Sequence, residues 1–435
     1  MYLSTIGLDS RRAAGRRAGS GRAVGANVLA LGAVSLITDI SAEMVTAVLP
    51  LYFVLTLQLG PAAYGVMDGL YTGATALLRL AGGYLADRTR RRKAVAGAGY
   101  GISAAAKLGL LAAGASVPAL GAVIVADRAG KGLRSAPRDA LITLSTPEPM
   151  LGRAFGVHRT MDSMGAFAGP LAALGVLALV GSASPAAFDA LFVTSFCVAA
   201  AGVLILVLWV RDHTGPRPPA ESVAPRAAAR MLRDPAVRGV LCAACLLGLT
   251  TIGDGFVYLL LMRALDFDSG WFPLCAVGTN LGYLLLATPF GALADRRGRR
   301  PVLLGGYAAL LTVYLLLSAA LSGALPAVLT GMPVVVLILA LYGAFYAATD
   351  GVLMALAGPL LPKPLRTTGL ALVQTGQALA YLLSSAGFGL AWHYWGPATA
   401  TAVSAGAVLL TIAVTAGLLI RGPITARTTT EESTG

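Results

Sequence analysis

The chain has 435 residues, 57% of them hydrophobic and only 12% charged, and its mean hydropathy is +0.76. A soluble globular chain carries about 25% charged residues, so this composition is that of a membrane protein. The formal charge of +13 would suit a nucleic-acid binder. The basic residues, however, fall in the gaps between apolar runs rather than on one basic face, as the cytoplasmic loops of membrane proteins are charged.

Residues 1–26 are rich in Gly, Ala and Arg (Arg11, Arg12, Arg16, Arg17, Arg22) and read as a disordered cytoplasmic tail. Arg11-Arg12 is not a twin-arginine signal, because the apolar run behind it is too long and no small-residue cleavage site closes it. Crossing a bilayer takes roughly 20 apolar residues. Runs of that kind lie near 27–57, 62–85, 94–115, 118–143, 152–180 and 186–210, forming a first set over 27–210. A polar linker, 211–236, follows with Pro216, Pro218, Pro219 and Pro225. The second set, over 237–420, has runs near 237–264, 271–293, 301–322, 332–361, 367–391 and 397–420, and a polar tail closes at 421–435. The expected fold is all-α, with twelve transmembrane helices.

Charge sets the sidedness. Arginine or lysine fills the first tail, the segment 87–93, a fourth-to-fifth loop (Arg134, Arg138, Arg153), the linker (Arg217, Arg226, Arg230, Arg233), the segment 295–300, a tenth-to-eleventh loop (Lys363, Arg366) and the last tail (Arg421, Arg427). The opposite loops near 58–61, 114–117, 181–185, 323–331 and 393–397 carry none, and the one near 266 carries Asp266 and Asp268. Both termini are therefore expected in the cytoplasm.

Charges inside spans are costly and are usually paired or functional. In the first span Asp39 and Glu43 are four apart and share a helix face. Two carboxylates so close do not both ionise easily, which is what a proton site needs. Asp68, Arg79 and Lys107 follow in spans two and three. The fourth holds Asp127, Arg128 and Lys131, with Asp127 and Lys131 spaced to pair. The fifth holds His158, Arg159 and Asp162, spaced to lie on one side, where a histidine beside an acid suits a proton relay. Gly165, Gly169 and Pro170 let that helix approach a neighbour and bend. The second half keeps Asp254 and Asp350 as deep acids, with Asn280, Gln374 and Gln377 as polar groups and Tyr258, Tyr342, Tyr346 and Tyr381 near them. This asymmetry places proton chemistry in the first half (Asp39, Glu43, Asp127, Arg128, His158, Arg159, Asp162). A cargo cavity would take Lys131, Asp254, Asp350, Gln374 and Gln377.

One loop is written twice. Gly83-Tyr84-Leu85-Ala86-Asp87-Arg88-Thr89-Arg90-Arg91-Arg92-Lys93 is repeated as Gly291-Ala292-Leu293-Ala294-Asp295-Arg296-Arg297-Gly298-Arg299-Arg300-Pro301, with Arg90 where the second copy has Gly298. Pro137-Arg138-Asp139-Ala140-Leu141 is echoed by Thr349-Asp350-Gly351-Val352-Leu353, and Arg153-Ala154-Phe155-Gly156 by Arg366-Thr367-Thr368-Gly369. The repeated loop resembles the G-x-L-A-D-R-x-G-R-R motif of the major facilitator superfamily, and the resemblance runs over 27–420. It implies two homologous six-helix bundles working by alternating access. It further implies that Asp87 and Asp295 pair across helices with Arg88, Arg91, Arg296 and Arg299 and release as the protein turns. Arg128 resembles the arginine of the family's span-four motif, which is linked to proton transfer. Gly165-x-x-x-Gly169-Pro170 resembles part of the span-five motif of proton-driven exporters, with Ala173 and Leu174 where that motif has further glycines.

The reading is a bacterial inner-membrane transporter, not an enzyme, exporting a small organic compound against protons, as a monomer without cofactor or metal. The alternative is an importer of an anionic metabolite or chelated metal, suggested by Arg79, Lys107, Arg128, Lys131 and Arg159. A sensor or enzyme finds no support, since no phosphate loop, nucleophile–base set or metal-ligand spacing occurs. Gly97-Ala98-Gly99-Tyr100-Gly101 follows no strand, so it is helix packing and not a dinucleotide loop. Cys242 and Cys245 form a C-x-x-C with no second pair or histidine near it, which favours packing over zinc.

Overall fold

In a computed structural model the described residues are 25–89, 91–147, 150–181, 184–212, 232–326, 331–361 and 366–421. The tail residues 1–24 and 422–435, the linker residues 213–231 and Arg90 lie outside them, and with them the tail and linker expectations. All regular structure among the described residues is helical. The first group is α1 (Ala26–Thr46), continued through a π-turn to Thr56, then α2 (Pro61–Thr89), α3 (Arg92–Ala113), α4 (Val117–Leu144), α5 (Leu151–Val180) and α6 (Pro185–Trp209). The second is α7 (Pro235–Leu249), α8 (Asp254–Leu265), α9 (Phe272–Arg297), α10 (Arg299–Leu321), α11 (Met332–Thr349), α12 (Val352–Ala357), α13 (Arg366–Trp395) and α14 (Pro397–Arg421).

Nine described stretches are long and apolar enough to cross a membrane. Three other helices are as long but too polar for that measure. α2 carries Asp68, Arg79, Asp87 and Arg88; α4 carries six charged residues from Asp127 to Asp139; α13 is interrupted by Gln374, Gln377, Ser384 and Ser385. Arg134 and Arg138, expected in a loop, lie inside α4, because that helix runs on to Leu144 through Pro137.

Seven helices share a start signal. α2, α4, α6, α7, α9, α11 and α14 each have proline among their first two residues: Pro61, Pro118, Pro185, Pro235, Pro273, Pro333 and Pro397. Proline fits there because its missing N–H is unused in the first turn and its φ is already helical. Ser116 and Ser184 add side-chain caps, accepting from the Ala119 and Ala187 N–H. The turn between α9 and α10 closes on Gly298 at φ +92°, a conformation that suits glycine.

Glycines set the closest crossings. β-Carbons at Gly165 and Gly169 on α5 would stand 2.6 Å from the Leu36 carbonyl oxygen and 2.5 Å from the Glu43 Cβ on α1. Gly99 and Gly130 lock α3 to α4, and Gly343 locks α11 to α9. Hydrocarbon gives helices no solvophobic reason to associate, so close backbone approach supplies much of the attraction.

The two groups meet mainly along α2 and α13 and along α5 and α9. Gly65 and Gly69 of α2 face Ser385 and Leu382 of α13. Beside them Tyr64 packs edge-on to Phe256 (4.6 Å between centroids), which packs on Phe388 and Trp392. This cluster seals the space between the groups at the end carrying Pro61. Toward the other end lie the exposed Asp350 and Arg159. A β-carbon at Gly65 would collide with the Ser385 carbonyl and stand 3.1 Å from the Gly389 Cα. Gly65→Val should therefore hold this end open. Spin labels at Leu59 and Ser269, in a background without the native cysteines, should then give a longer and broader distance distribution.

Candidate functional site

A cavity of about 490 Å³ lies between the groups, walled by α1, α2, α8, α9, α11 and α13. Four carboxylates line it: Glu43 and Asp68 from the first group, Asp254 and Asp350 from the second. Asn280, Gln374 and Gln377 supply amides, and Tyr64, Tyr71, Tyr258, Tyr307, Tyr346 and Tyr381 supply rings. No lysine, arginine or histidine is among the described lining residues.

Asp254 owes its place to a broken helix. α7 ends at Leu249, residues 250–253 are unwound, and α8 starts at Asp254. Bare backbone groups are costly in a membrane interior, so irregular backbone survives there only where protein satisfies it or a cavity borders it. The buried Tyr314 hydroxyl does that here, accepting from the Ile252 N–H (2.9 Å) and donating to the Thr250 carbonyl (3.3 Å). Tyr342 (2.8 Å) and Tyr346 donate to Asp254 Oδ1. Asp68 Oδ2 accepts from Tyr381 (3.2 Å) and Ser385, across the boundary between the groups. Tyr283 donates to Asp350 at 3.2 Å.

The cations of the first group sit away from this cavity, and most are paired. Asp127 receives Arg128 and Ser103 and stands 3.6 Å from the Lys107 Nζ. The Arg128 guanidinium also lies 3.6 Å over the Tyr71 ring. Arg134 donates to Asp39 at 3.0 Å. Arg138 binds Asp139 at 3.0 Å and stands 3.8 Å from Asp162. Asp39 and Asp162 lie on either side of the α1–α5 crossing at Gly165, each with an arginine of α4 beside it.

Four sequence expectations change. Asp127 does not pair with Lys131; the tight α3–α4 crossing at Gly99 and Gly130 brings Lys107 to it instead. The Lys131 ammonium makes no hydrogen bond or ion pair among the described residues, and Lys131 is not one of the described residues lining the cavity. His158 does not join Asp162: its ring is buried 2.9 Å from the Ser35 hydroxyl, while Arg159, beside it in sequence, is 79% exposed and 3.7 Å from Asp162. Glu43, grouped by sequence with Asp39, instead faces the cavity without a hydrogen bond among the described residues. Asp254, Asp350, Gln374 and Gln377 all line the cavity. The sequence left Asp68 without a role and put Arg134 and Arg138 in a loop. Helical phase alone could have put Arg134 on the same face of α4 as Lys131 and Arg138.

Of the repeated loop, Arg299 donates to the Ala355 carbonyl at 2.7 Å, at the carbonyl end of α12, where a cation is favoured. Asp295, Arg296 and Arg91 are exposed. Asp87 and Arg88 belong to the last turn of α2, and their side chains lie outside the described residues.

The profile of the Major Facilitator Superfamily matches residues 31–278 and 256–434, and the chain belongs to that family. It is a transporter-family protein, not an enzyme. It is 30% identical over 382 residues to an uncharacterised MFS-type transporter of Methanocaldococcus jannaschii, covering 85% of this chain and 89% of that one. Among solved structures, a point mutant of the nucleoside transporter NupG superposes with a TM-score of 0.75 at 14% identity, over 90% of this chain and 99% of the other. A POT family transporter in complex with 5-aminolevulinic acid gives 0.74 at 14%, over 92% and 97%. At that identity the likeness is one of fold.

Removing one member of a buried ion pair leaves an uncompensated charge and costs about 3–5 kcal/mol. Asp127→Asn strands Lys107 and Arg128, so it should lower the unfolding midpoint in detergent. Asp295→Asn, at an exposed carboxylate, should leave that midpoint where it is.

Proposed function

We propose that the chain is a proton-coupled secondary transporter that exports a small organic compound across a bacterial inner membrane by alternating access. Its twelve helical spans form two six-helix bundles, 27–210 and 237–420, joined by the linker 211–236, with both termini in the cytoplasm. The observation that carries the reading is the cavity: both groups of helices wall it, and a seal of glycines and aromatic rings closes it at the end carrying Pro61. Opening that seal while closing the other end is the motion that alternating access requires.

Proton coupling is assigned to the carboxyls of Asp39 and Asp162. A proton added to Asp39 weakens its hold on Arg134 and so loosens α1 from α4, and a proton added to Asp162 weakens its hold on Arg138 and loosens α5 from α4. Asp127 and Arg128 anchor the same helix, and Arg299, Asp295 and Arg296, with Asp87, Arg88 and Arg91, form the gate that the family resemblance implies. The importer alternative needed cations facing the cargo. Of the cations that suggested it, Lys107 and Arg128 are engaged by Asp127, Arg159 is exposed 3.7 Å from Asp162, none of these three nor Lys131 lines the cavity, and the Arg79 side chain lies outside the described residues. The export direction draws on the span-five glycines and Pro170.

The test uses proteoliposomes holding a pH-sensitive dye. Addition of a carried compound should drive protons the opposite way, and Asp39→Asn or Asp162→Asn should abolish the proton signal while leaving cargo exchange. Protons moving in the same direction as the cargo would replace export with import. A proton signal unchanged in both variants would remove the carboxyl pair from the mechanism.

A further inference from the structure

The cavity carries more information about its occupant than its shape. Asp68 and Asp254 face it from opposite groups. The Asp68 carboxylate packs directly on Gly253, the residue before Asp254. Each accepts from hydroxyls through one oxygen, and Asp68 Oδ1 makes no hydrogen bond to a described residue. Hydroxyl donors lower the cost of a buried carboxylate but do not neutralise it. The described lining holds no cationic side chain that would do so.

A second observation stands apart from the acids. The Tyr64 hydroxyl is buried, with its residue 2% exposed, and it has no hydrogen-bond partner. Tyr64 also lines the cavity, and its hydroxyl reaches toward Gly255, on the other side of Asp254. Burying a hydroxyl without a partner is costly, and a ligand carrying N–H groups would relieve it. Tyr258, Tyr307, Tyr346 and Tyr381 also line the cavity, and aromatic rings attract cations. A metal ion fits poorly, because no three His, Cys, Asp or Glu side chains among the described residues are placed to hold one. The volume suits an organic body instead.

We propose that Asp68, Asp254 and Tyr64 form the binding site for the charged end of an organic ammonium ion, a protonated amine on an apolar or aromatic body. Its N–H groups donate to the two carboxylates and to the Tyr64 oxygen, and its carbon frame rests on the tyrosine rings. Because the acids come from the two groups of helices, one ligand joins both halves. The inference rests on reading this cavity as the cargo site of the transporter.

The experiment is equilibrium binding to the purified full-length protein in nanodiscs, read by fluorescence of three probes with one fluorophore. These are dansylcadaverine (an ammonium), its N-acetyl derivative (neutral) and dansyl-6-aminohexanoate (a carboxylate). The ammonium should bind saturably and at least about tenfold more tightly than the other two, the size expected for a charge-assisted contact. Asp68→Asn and Asp254→Asn should each cost about tenfold for the ammonium only, and Tyr64→Phe a smaller loss. Equal binding of all three probes, or preference for the carboxylate, overturns the proposal. So does unaltered ammonium affinity in folded Asp68→Asn and Asp254→Asn. If a variant does not fold, the charge series on the unaltered protein decides alone. Charge-selective binding without proton movement in dye-loaded vesicles would support this site while sinking proton-coupled export.

Discussion

An ionised side chain at the centre of a membrane helix costs about 2.5–3.5 kcal/mol by insertion measurements, unless something answers its charge. The two groups of helices meet this constraint in different ways. In the first, α4 carries acids and bases, and its neighbours supply their partners: Lys107 on α3 reaches Asp127, and Asp39 on α1 receives Arg134. In the second, Asp254 and Asp350 are answered by tyrosine hydroxyls alone. The cations of the first group are mostly engaged by acids away from the cavity, whereas Glu43 and Asp68 of that group and Asp254 and Asp350 of the other line it with no cationic side chain among the described lining residues. That is why the cavity between them is acidic.

The same cost shapes the backbone. A membrane interior supplies no water to satisfy the carbonyl and N–H groups of 250–253, so the break between α7 and α8 survives because the Tyr314 hydroxyl serves both kinds of group. A second irregularity follows α11, where Asp350 is extended and Gly351 has φ +75°. Both breaks put a carboxylate at the cavity, Asp254 in one case and Asp350 in the other.

Motion and packing draw on one set of residues. Within each group glycines bring backbones into contact, as Gly165 does against Leu36 and Gly343 against Thr279. Between the groups Gly65 does the same against Ser385, at the end where the cavity is shut. Asp68 fastens that seam by accepting from Tyr381 and Ser385.

The sequence by itself determined the local features. Apolar runs and prolines placed the helices, the duplicated loop carried the family, and the spacing of Gly165, Gly169 and Pro170 marked a close crossing, because each depends on residues within a turn or two. It also named Asp254, Asp350, Gln374 and Gln377 as cavity residues, since polar groups in apolar spans have few other places to face. The tertiary structure decided the partners. Asp127 had a base four residues on in Lys131, yet Lys107 on another helix took it; His158 turned to Ser35 and left Asp162 to Arg138 and Arg159. Helical periodicity fixes which side chains share a face but not which helix lies against that face. Only the packing could show that the cations of the first group are engaged elsewhere and that Asp68, without a role in sequence, joins Asp254 across the seam.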